Sequence, residues 1–427
     1  MQAALLGDTQ EYPQLTKFHS APGDKKALSR PFFYCLVRRC VSHDHCDRTH
    51  GSRASHRGHR MVIKKYFSAS YAQARERFTE AARAGGFELK QIVHPTALGP
   101  DGGSLSIDLA IHAPEGARSL LIVTSGTHGV EGFCGSGCQV GLLDDAAFLA
   151  EAKRRGVALL MIHGVNPYGF AHLRRVNEDN VDLNRNSADY STLADSNPGY
   201  GELDPLLLPA SWPPDAANQA ALGAYIQTHG EEALRNTVSK GQYAVPDGMF
   251  YGGAKTSWST QAVHSILRAH VGGYRRFAWI DLHTGLGPYG HGEKIFMSTD
   301  RSELQRARRW WGNDVKPIHE PGSISADVQG PIITLSYDEF PGVEKTTLGL
   351  EFGTYEPLHV LQALRADHWL HRHPETGAAA AAQIRQNLKD AFYCDNDEWK
   401  GLVLGQMRVV AWQAVAGLSE SDSDVTA

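Results

Sequence analysis

Short apolar runs set most of what this chain can become. The stretches "SLLIVTSG" (119–126) and "VALLMIHG" (157–164) are continuous apolar runs of the kind that form strands buried on both faces. "RFAWIDLH" (276–283), "EKIFMS" (293–298) and "TTLGLEFG" (346–353) are strand-like too, and "LSIDLAIHA" (105–113) alternates as a half-exposed strand does. Helical stretches stand between them: "EGFCGSGCQVGLLDDAAFLAEAKRRG", ending at Gly156; "DAANQAALGAYIQTHGEEALRNTV"; "STQAVHSILRAH"; "SELQRARRWWGND"; and the text from "LHVLQALRADHWLHRH" onward. Strands alternating with helices predict an α/β fold with helices on both faces of a largely parallel or mixed sheet.

Residues 1–60 break this pattern. They carry ten Lys and Arg against five Asp and Glu, and "SHDHCDRTHGSRASHRGHR" has too little apolar surface to offset its ordering entropy. The expectation is a disordered or spurious N-terminal extension over 1–60, a single catalytic domain over 61–415 and a disordered acidic tail over 416–427. The first helix of the domain is expected to be capped by Ser68 or Ser70 and to run to Gly85 and Gly86. The whole chain of 427 residues carries a formal charge of −5, which calls for neither nucleic acid nor an anionic membrane as partner. Six cysteines in this length make no disulfide framework. No apolar run approaches the roughly 18 residues of a membrane helix, and the first residues show no signal peptide. The expected setting is cytoplasmic, with oligomeric state unknown.

In open α/β sheets, chemistry gathers beyond the carboxyl ends of the strands. After "LLIVTSG" come His128 and Glu131, three residues apart and able to share the turn that opens a helix. "FAWID" leads into His283, and Glu351 sits near the end of its own strand. The stretch "NPYGFAHLRRVNEDNVDLNRN" (166–186) lies between, rich in Asn and Arg. A catalytic zinc takes three N or O ligands and keeps a position for water. His128, Glu131 and His283 are the ligand set on offer, with Asp281 or Thr284 as groups that would instead orient a ligand. Glu351 is a charge inside an apolar strand, either salt-bridged or acting as the general base. Arginines would stabilise an oxyanion and grip a substrate carboxylate. Asn177, Asn180 and Asn186 read as loop formers, and Asp182 as a residue that orients the loop.

These motifs, in this order ("HGVEG", "NPYGF", "RRVNEDNVDLNRN", "DLHTG", "GLEFGT"), resemble those of the zinc carboxypeptidase superfamily, and within it an uncharacterised bacterial branch known only as a domain of unknown function. The resemblance spans roughly residues 61–415. It implies a three-layer α/β/α sandwich around a mixed, roughly eight-stranded sheet, and Zn2+ held by His128, Glu131 and His283. Glu351 is then the catalytic glutamate, and Asn184 and Arg185 hold the substrate carboxylate. By its spacing to "DLNRN", Arg175 best matches the arginine that polarises the carbonyl, and its neighbour Arg174, also on the substrate side, is the alternative. Tyr337 is a candidate for a mobile substrate-side tyrosine. The implied activity is hydrolysis of an amide next to a free carboxylate, on a peptide as in metallocarboxypeptidases. The alternative is an N-acyl amino acid deacylase, similar to aspartoacylase or succinylglutamate desuccinylase. A non-catalytic binding relative would lack a ligand or the base, and neither is missing. Of the remaining features, Cys134 and Cys138 are expected to serve packing, the tail's "CVSHDHC" fits no familiar zinc finger, and Trp310 and Trp311 are expected to lie half in the core and half at the surface.

Overall fold

The computed structural model describes residues 63–193, 196–320, 322–325 and 328–420. The expectations for residues 1–60 and for the end of the tail, 421–427, fall outside the described residues. The apolar runs form one eight-stranded sheet: β1 (Glu88–Leu98), β2 (Ser104–His112), β3 (Ser119–Ser125), β4 (Val157–His163), β5 (Arg276–Tyr289), β6 (Gly292–Phe296), β7 (Lys316–Pro317) and β8 (Glu344–Gly353). Their order is β1-β2-β4-β3-β5-β8-β6-β7. The central strands β4, β3, β5 and β8 pair in parallel; β1 with β2, β2 with β4 and β6 with β8 pair antiparallel. The sheet is therefore mixed. β1 and the two-residue β7 lack a clear sequence signal; β1 contains Pro95, its pairing with β2 shifts register between Val93 and Leu98, and one face is open to solvent. Such a proline is tolerated because β1 is an edge.

The helices are α1 (Tyr71–Ala84), α2 (Gly132–Leu143), α3 (Ala146–Arg154), α4 (Pro167–His172), α5 (Tyr200–Leu207), α6 (Ala216–His229), α7 (Glu231–Ser239), α8 (Trp258–His270), α9 (Arg301–Trp311), α10 (Leu335–Glu339), α11 (Pro357–Arg372), α12 (Pro374–Gly377), α13 (Ala381–Phe392) and α14 (Asp397–Leu418). Ser70, not Ser68, caps α1 by accepting from the Gln73 amide. Two stretches that read as single helices are broken. Asp145 accepts from the Phe148 amide and so starts α3 afresh; Gly230, at φ 87°, separates α6 from α7.

Side chains alternate across the sheet, so each strand feeds two cores. Leu121, Val123, Ala278, Ile280 and Leu282 pack with α1, α2, α9 and α14. Leu120, Ile122, Phe277 and Trp279 pack with α8 on the other face. This is the three-layer α/β/α arrangement. All of α2 is buried, Cys134 and Cys138 included. A Cβ at Gly135 would stand 2.7 Å from Ser125 and one at Gly141 2.5 Å from Leu404, so small residues let α2 lie flat between sheet and α14.

Three expectations need correction here. Among the described residues one helix, α14, is long and apolar enough to cross a membrane by length and composition. Its Trp399, Val403, Met407, Val410 and Ala414 are buried in the first core. The helix also runs past residue 415, and Leu418 is still buried. α14 likewise covers Trp310 and Trp311, which are both buried: Gly417 lies against the Trp310 ring, and Trp311 Nε1 donates to the Val410 carbonyl.

Candidate metal centre

The parallel strands bring four acidic or imidazole side chains to one end of the sheet. β5 and β8 pair with His283 opposite Glu351, and Leu282 of β5 pairs with Ser125, the last residue of β3. Beyond Ser125 the chain makes a 3-10 turn, Gly129–Glu131, and enters α2. Gly129 and Val130 donate their amides to the carbonyls of Arg175 and Arg174, each at 3.0 Å. Nothing but glycine fits at 129, because a Cβ there would lie 2.0 Å from the Gly169 carbonyl carbon. The turn bearing His128 and Glu131 is thus stitched to the arginine strap that follows "NPYG". Asn166 reinforces the stitch: its side chain caps α4 and donates to the Arg175 carbonyl at 3.1 Å.

His128, Glu131 and His283 converge. One ligand atom from each lies within 4.8 Å of the other two. His128 Nδ1 is 2.8 Å from Glu131 Oε1, and His283 Nδ1 is 3.0 Å from Oε2. All three residues are buried. The far nitrogens have carboxylate partners: His128 Nε2 with Asp182 Oδ1 at 2.9 Å, His283 Nε2 with Asp281 Oδ2 at 2.7 Å. An Nε2–H donated to a carboxylate puts the free lone pair on Nδ1, and both Nδ1 atoms face the same carboxylate. Aspartates placed in this way behind metal-ligating imidazoles orient the rings and raise their basicity. Two nitrogens and a carboxylate, with no thiolate among them, suit zinc or a related divalent ion. The residues fit a metal.

The surroundings fix both carboxylates. Asp281 Oδ1 accepts from the hydroxyls of Thr124 and Thr127 at 2.6 and 2.9 Å. Asp182 accepts from the Asn184 amide at 2.9 Å and from Arg175 Nε at 3.1 Å. Burial alone would raise the carboxyl of Asp182, but Arg175 and His128 outweigh it and hold it well below the usual range. Burial opposes a charged His283, yet Asp281 and Glu131 overcome it and push the imidazole well up. Glu131 is likewise held down by the two histidines against its own burial. Asp281→Asn is therefore expected to weaken zinc binding about 10- to 100-fold with every ligand intact. The asparagine can present a donor to Nε2 and force the proton onto Nδ1. Competition against a chromophoric chelator reads the change; an unaltered affinity would mean that His283 is not a ligand.

Glu351 accepts from the Leu286 amide at 3.0 Å and forms no ion pair among the described residues. Burial, reinforced by Glu131, pushes its carboxyl up to about 7. A carboxyl tuned near neutrality can both take and return a proton.

The arginines separate cleanly. Arg175 Nη1 reaches Glu131 Oε1 at 2.9 Å and its Nε reaches Asp182, so it lies at the centre. Arg174 turns the other way, to Asp367 at 3.0 Å, Asn180 at 3.1 Å and His371. In this structure it is a buried strut tying the strap to α11. Arg185 is buried and pairs with no carboxylate among the described residues; its Nε and Nη2 donate to the Ser239 carbonyl and its Nη1 to the Asn184 carbonyl. Burial lowers its pKa. Asn184 anchors the loop through its Oδ1, which accepts from the Ile332 amide at 3.1 Å. Tyr337 is engaged elsewhere in this structure. Its hydroxyl is held by buried Glu303 at 2.9 Å and by Thr347, which lies four residues upstream of Glu351 in β8, roughly 13 Å along the strand. The segment 239–250 carried no signal in the sequence, yet its Ser239 carbonyl and Phe250 ring flank Arg185. Carbonyl groups leave no residue-type signal.

A family model described as "Protein of unknown function (DUF2817)" matches residues 67–406. No curated protein matches the chain. Among solved structures, thrombin-activatable fibrinolysis inhibitor is similar at 13% identity, covering 77% of this chain and 76% of that one, with a TM-score of 0.41. The bovine form, solved with tick carboxypeptidase inhibitor, is similar at 13% identity over 77% and 97% of the two chains, TM-score 0.39. Carboxypeptidase A from Helicoverpa armigera is similar at 12% identity over 75% and 73%, TM-score 0.38.

Proposed function

The chain belongs to the DUF2817 family, and from the geometry of its site we propose that it is a zinc-dependent hydrolase that cleaves an amide bond next to a free carboxylate, as a metallocarboxypeptidase does. One observation carries the reading: His128, Glu131 and His283 turn their ligand atoms to one point, each imidazole backed by its own aspartate, with Glu351 one strand away. Zinc, held there by these three residues, would polarise a carbonyl and make water a nucleophile at neutral pH.

Glu351 takes the proton from the attacking water and returns it to the leaving nitrogen, a role that needs a carboxyl near neutral pKa. Arg175 places a guanidinium beside Glu131, where negative charge develops on the substrate oxygen. Arg185 holds the substrate's carboxylate. A guanidinium has five N–H donors, and main-chain carbonyls engage three of its nitrogens once each. Two N–H groups remain for a bidentate pair. A buried cation without a carboxylate partner is costly, and the substrate supplies the missing counter-charge.

The test is a panel of short N-blocked peptides and N-acyl amino acids, each made with a free and an amidated C-terminal carboxyl. Released amine should appear only from the free acids. Cleavage of peptides identifies a carboxypeptidase, and cleavage confined to N-acyl amino acids identifies a deacylase. Equal turnover of the amidated series, or none of either series, would remove the proposal.

A further inference from the structure

We propose that Phe250 is a positioning residue that holds the two site arginines in a fixed mutual arrangement through the face of one ring. The inference rests on the hydrolase reading above and deepens it. The Arg175 guanidinium carbon is 5.3 Å from the ring centroid of Phe250 and that of Arg185 is 5.7 Å. One aromatic ring therefore serves both cations. The face of a benzene ring is negative, and an aromatic ring attracts a guanidinium within about 6 Å of its centroid. Two like charges near one another repel, and a ring that attracts both offsets part of that repulsion.

The backbone bears the cost of this placement. Phe250 has φ 54°, a conformation that bulky residues rarely adopt. Strained residues persist where their surroundings over-determine them. Here the neighbours do so. The Gln242 amide donates to the Phe250 carbonyl at 3.2 Å, the Met249 amide donates to the Tyr200 hydroxyl at 2.6 Å, and the Asp182 amide donates to the Tyr251 carbonyl at 2.8 Å. The last bond ties the segment directly to the residue that orients His128. The ring itself is buried, 8% exposed.

The same segment closes on Arg185 from another side. The Ser239 carbonyl accepts from Nε and Nη2, and the Tyr243 hydroxyl donates to the Arg185 carbonyl at 2.6 Å. Gly241, at φ 103°, lets the chain pass close: a Cβ there would stand 2.7 Å from Arg185 Cδ. The segment 239–250 is a cradle, and Phe250 is the part that reaches from the carboxylate-gripping arginine to the carbonyl-facing one. Its consequence is coupling. The substrate's terminal carboxylate and its scissile carbonyl are addressed by groups whose separation Phe250 sets.

Replacing Phe250 by pentafluorophenylalanine reverses the charge distribution of the ring and nearly keeps its shape. With a free-acid substrate, KM should rise roughly 3- to 30-fold and kcat should fall, while the melting temperature stays within a few degrees. Phe250→Tyr should restore both constants, and Phe250→Leu should behave as the fluorinated variant does. A variant that melts lower but keeps both constants would reduce Phe250 to a core residue and overturn the proposal. NMR of protein labelled at arginine gives a readout independent of turnover. The Nε–H signals of Arg175 and Arg185 should lie upfield under the ring and return to ordinary positions in Phe250→Leu. Signals that do not move refute the positioning role whatever the activity. Signals that move in a protein that cleaves nothing leave Phe250 in its role and refute the hydrolase reading alone.

Discussion

Glu351→Gln is expected to keep its zinc and lose turnover by about 10²- to 10⁴-fold. Glutamine has nearly the shape of glutamate, and its side-chain oxygen can still accept from the Leu286 amide, as the Glu351 carboxylate does. The His128, Glu131 and His283 ligands are untouched. What disappears is the group that takes a proton from water. Metal analysis by plasma emission and initial rates on the same preparation separate the two effects. A variant that turns over at the wild-type rate would mean that another residue is the base.

The same substitution carries a stability prediction of definite sign. In the chelated protein, the Glu351 carboxyl titrates near 7, above the 4.5 of an unfolded glutamate, because burial and Glu131 disfavour its charge. The folded state then holds its proton more tightly than the unfolded state does. That advantage is complete below about pH 4.5 and is lost as pH rises through 7. The glutamine amide has no proton to lose in this range, so chelated Glu351→Gln should gain on the chelated wild type between pH 4.5 and 7 and stay ahead above it. Melting curves of the two chelated proteins across that range check the sign.

Removal of zinc is the second large effect. Dialysis against a strong chelator should abolish turnover and lower the melting temperature, and readdition of zinc should restore both. The melting shift follows from mass action, since an ion that binds the folded state alone stabilises it by RT ln(1 + [Zn]/Kd). At a hundredfold excess over Kd that is about 2.7 kcal/mol. His283→Ala should abolish the shift, because one of the two converging imidazoles is gone while Asp281 stays anchored by Thr124 and Thr127. Turnover that survives complete removal of the metal would end the hydrolase reading in its present form.

Much of the sheet was legible because strand signals are local. "SLLIVTSG" and "VALLMIHG" are buried on both faces and could be little else. β1 was not legible: Pro95, an open face and a register shift erase the period that marks a strand. The helix breaks at Asp145 and Gly230 were hidden by helical text on both sides, although each break has a plain local cause in a capping carboxylate and a left-handed glycine.

The site divides along the same line. His128, Glu131, His283 and Glu351 could be named from the chain because each follows or ends a strand run, and parallel strands bring their carboxyl ends to one place. Strand polarity is a property of local sequence, and it was enough to gather four side chains spread between residues 128 and 351. The choice between Arg174 and Arg175 was beyond it. The two neighbours point opposite ways, and which of them faces Glu131 depends on Asp367 in α11 standing ready for the other. The Tyr337 hydroxyl likewise meets a distant partner, Glu303. The cradle around Arg185 is made of a carbonyl, a left-handed phenylalanine and a glycine's missing side chain. None of these carries a residue-type signature in one dimension; they exist only once the chain has folded back on itself and main-chain atoms meet side chains from far along it.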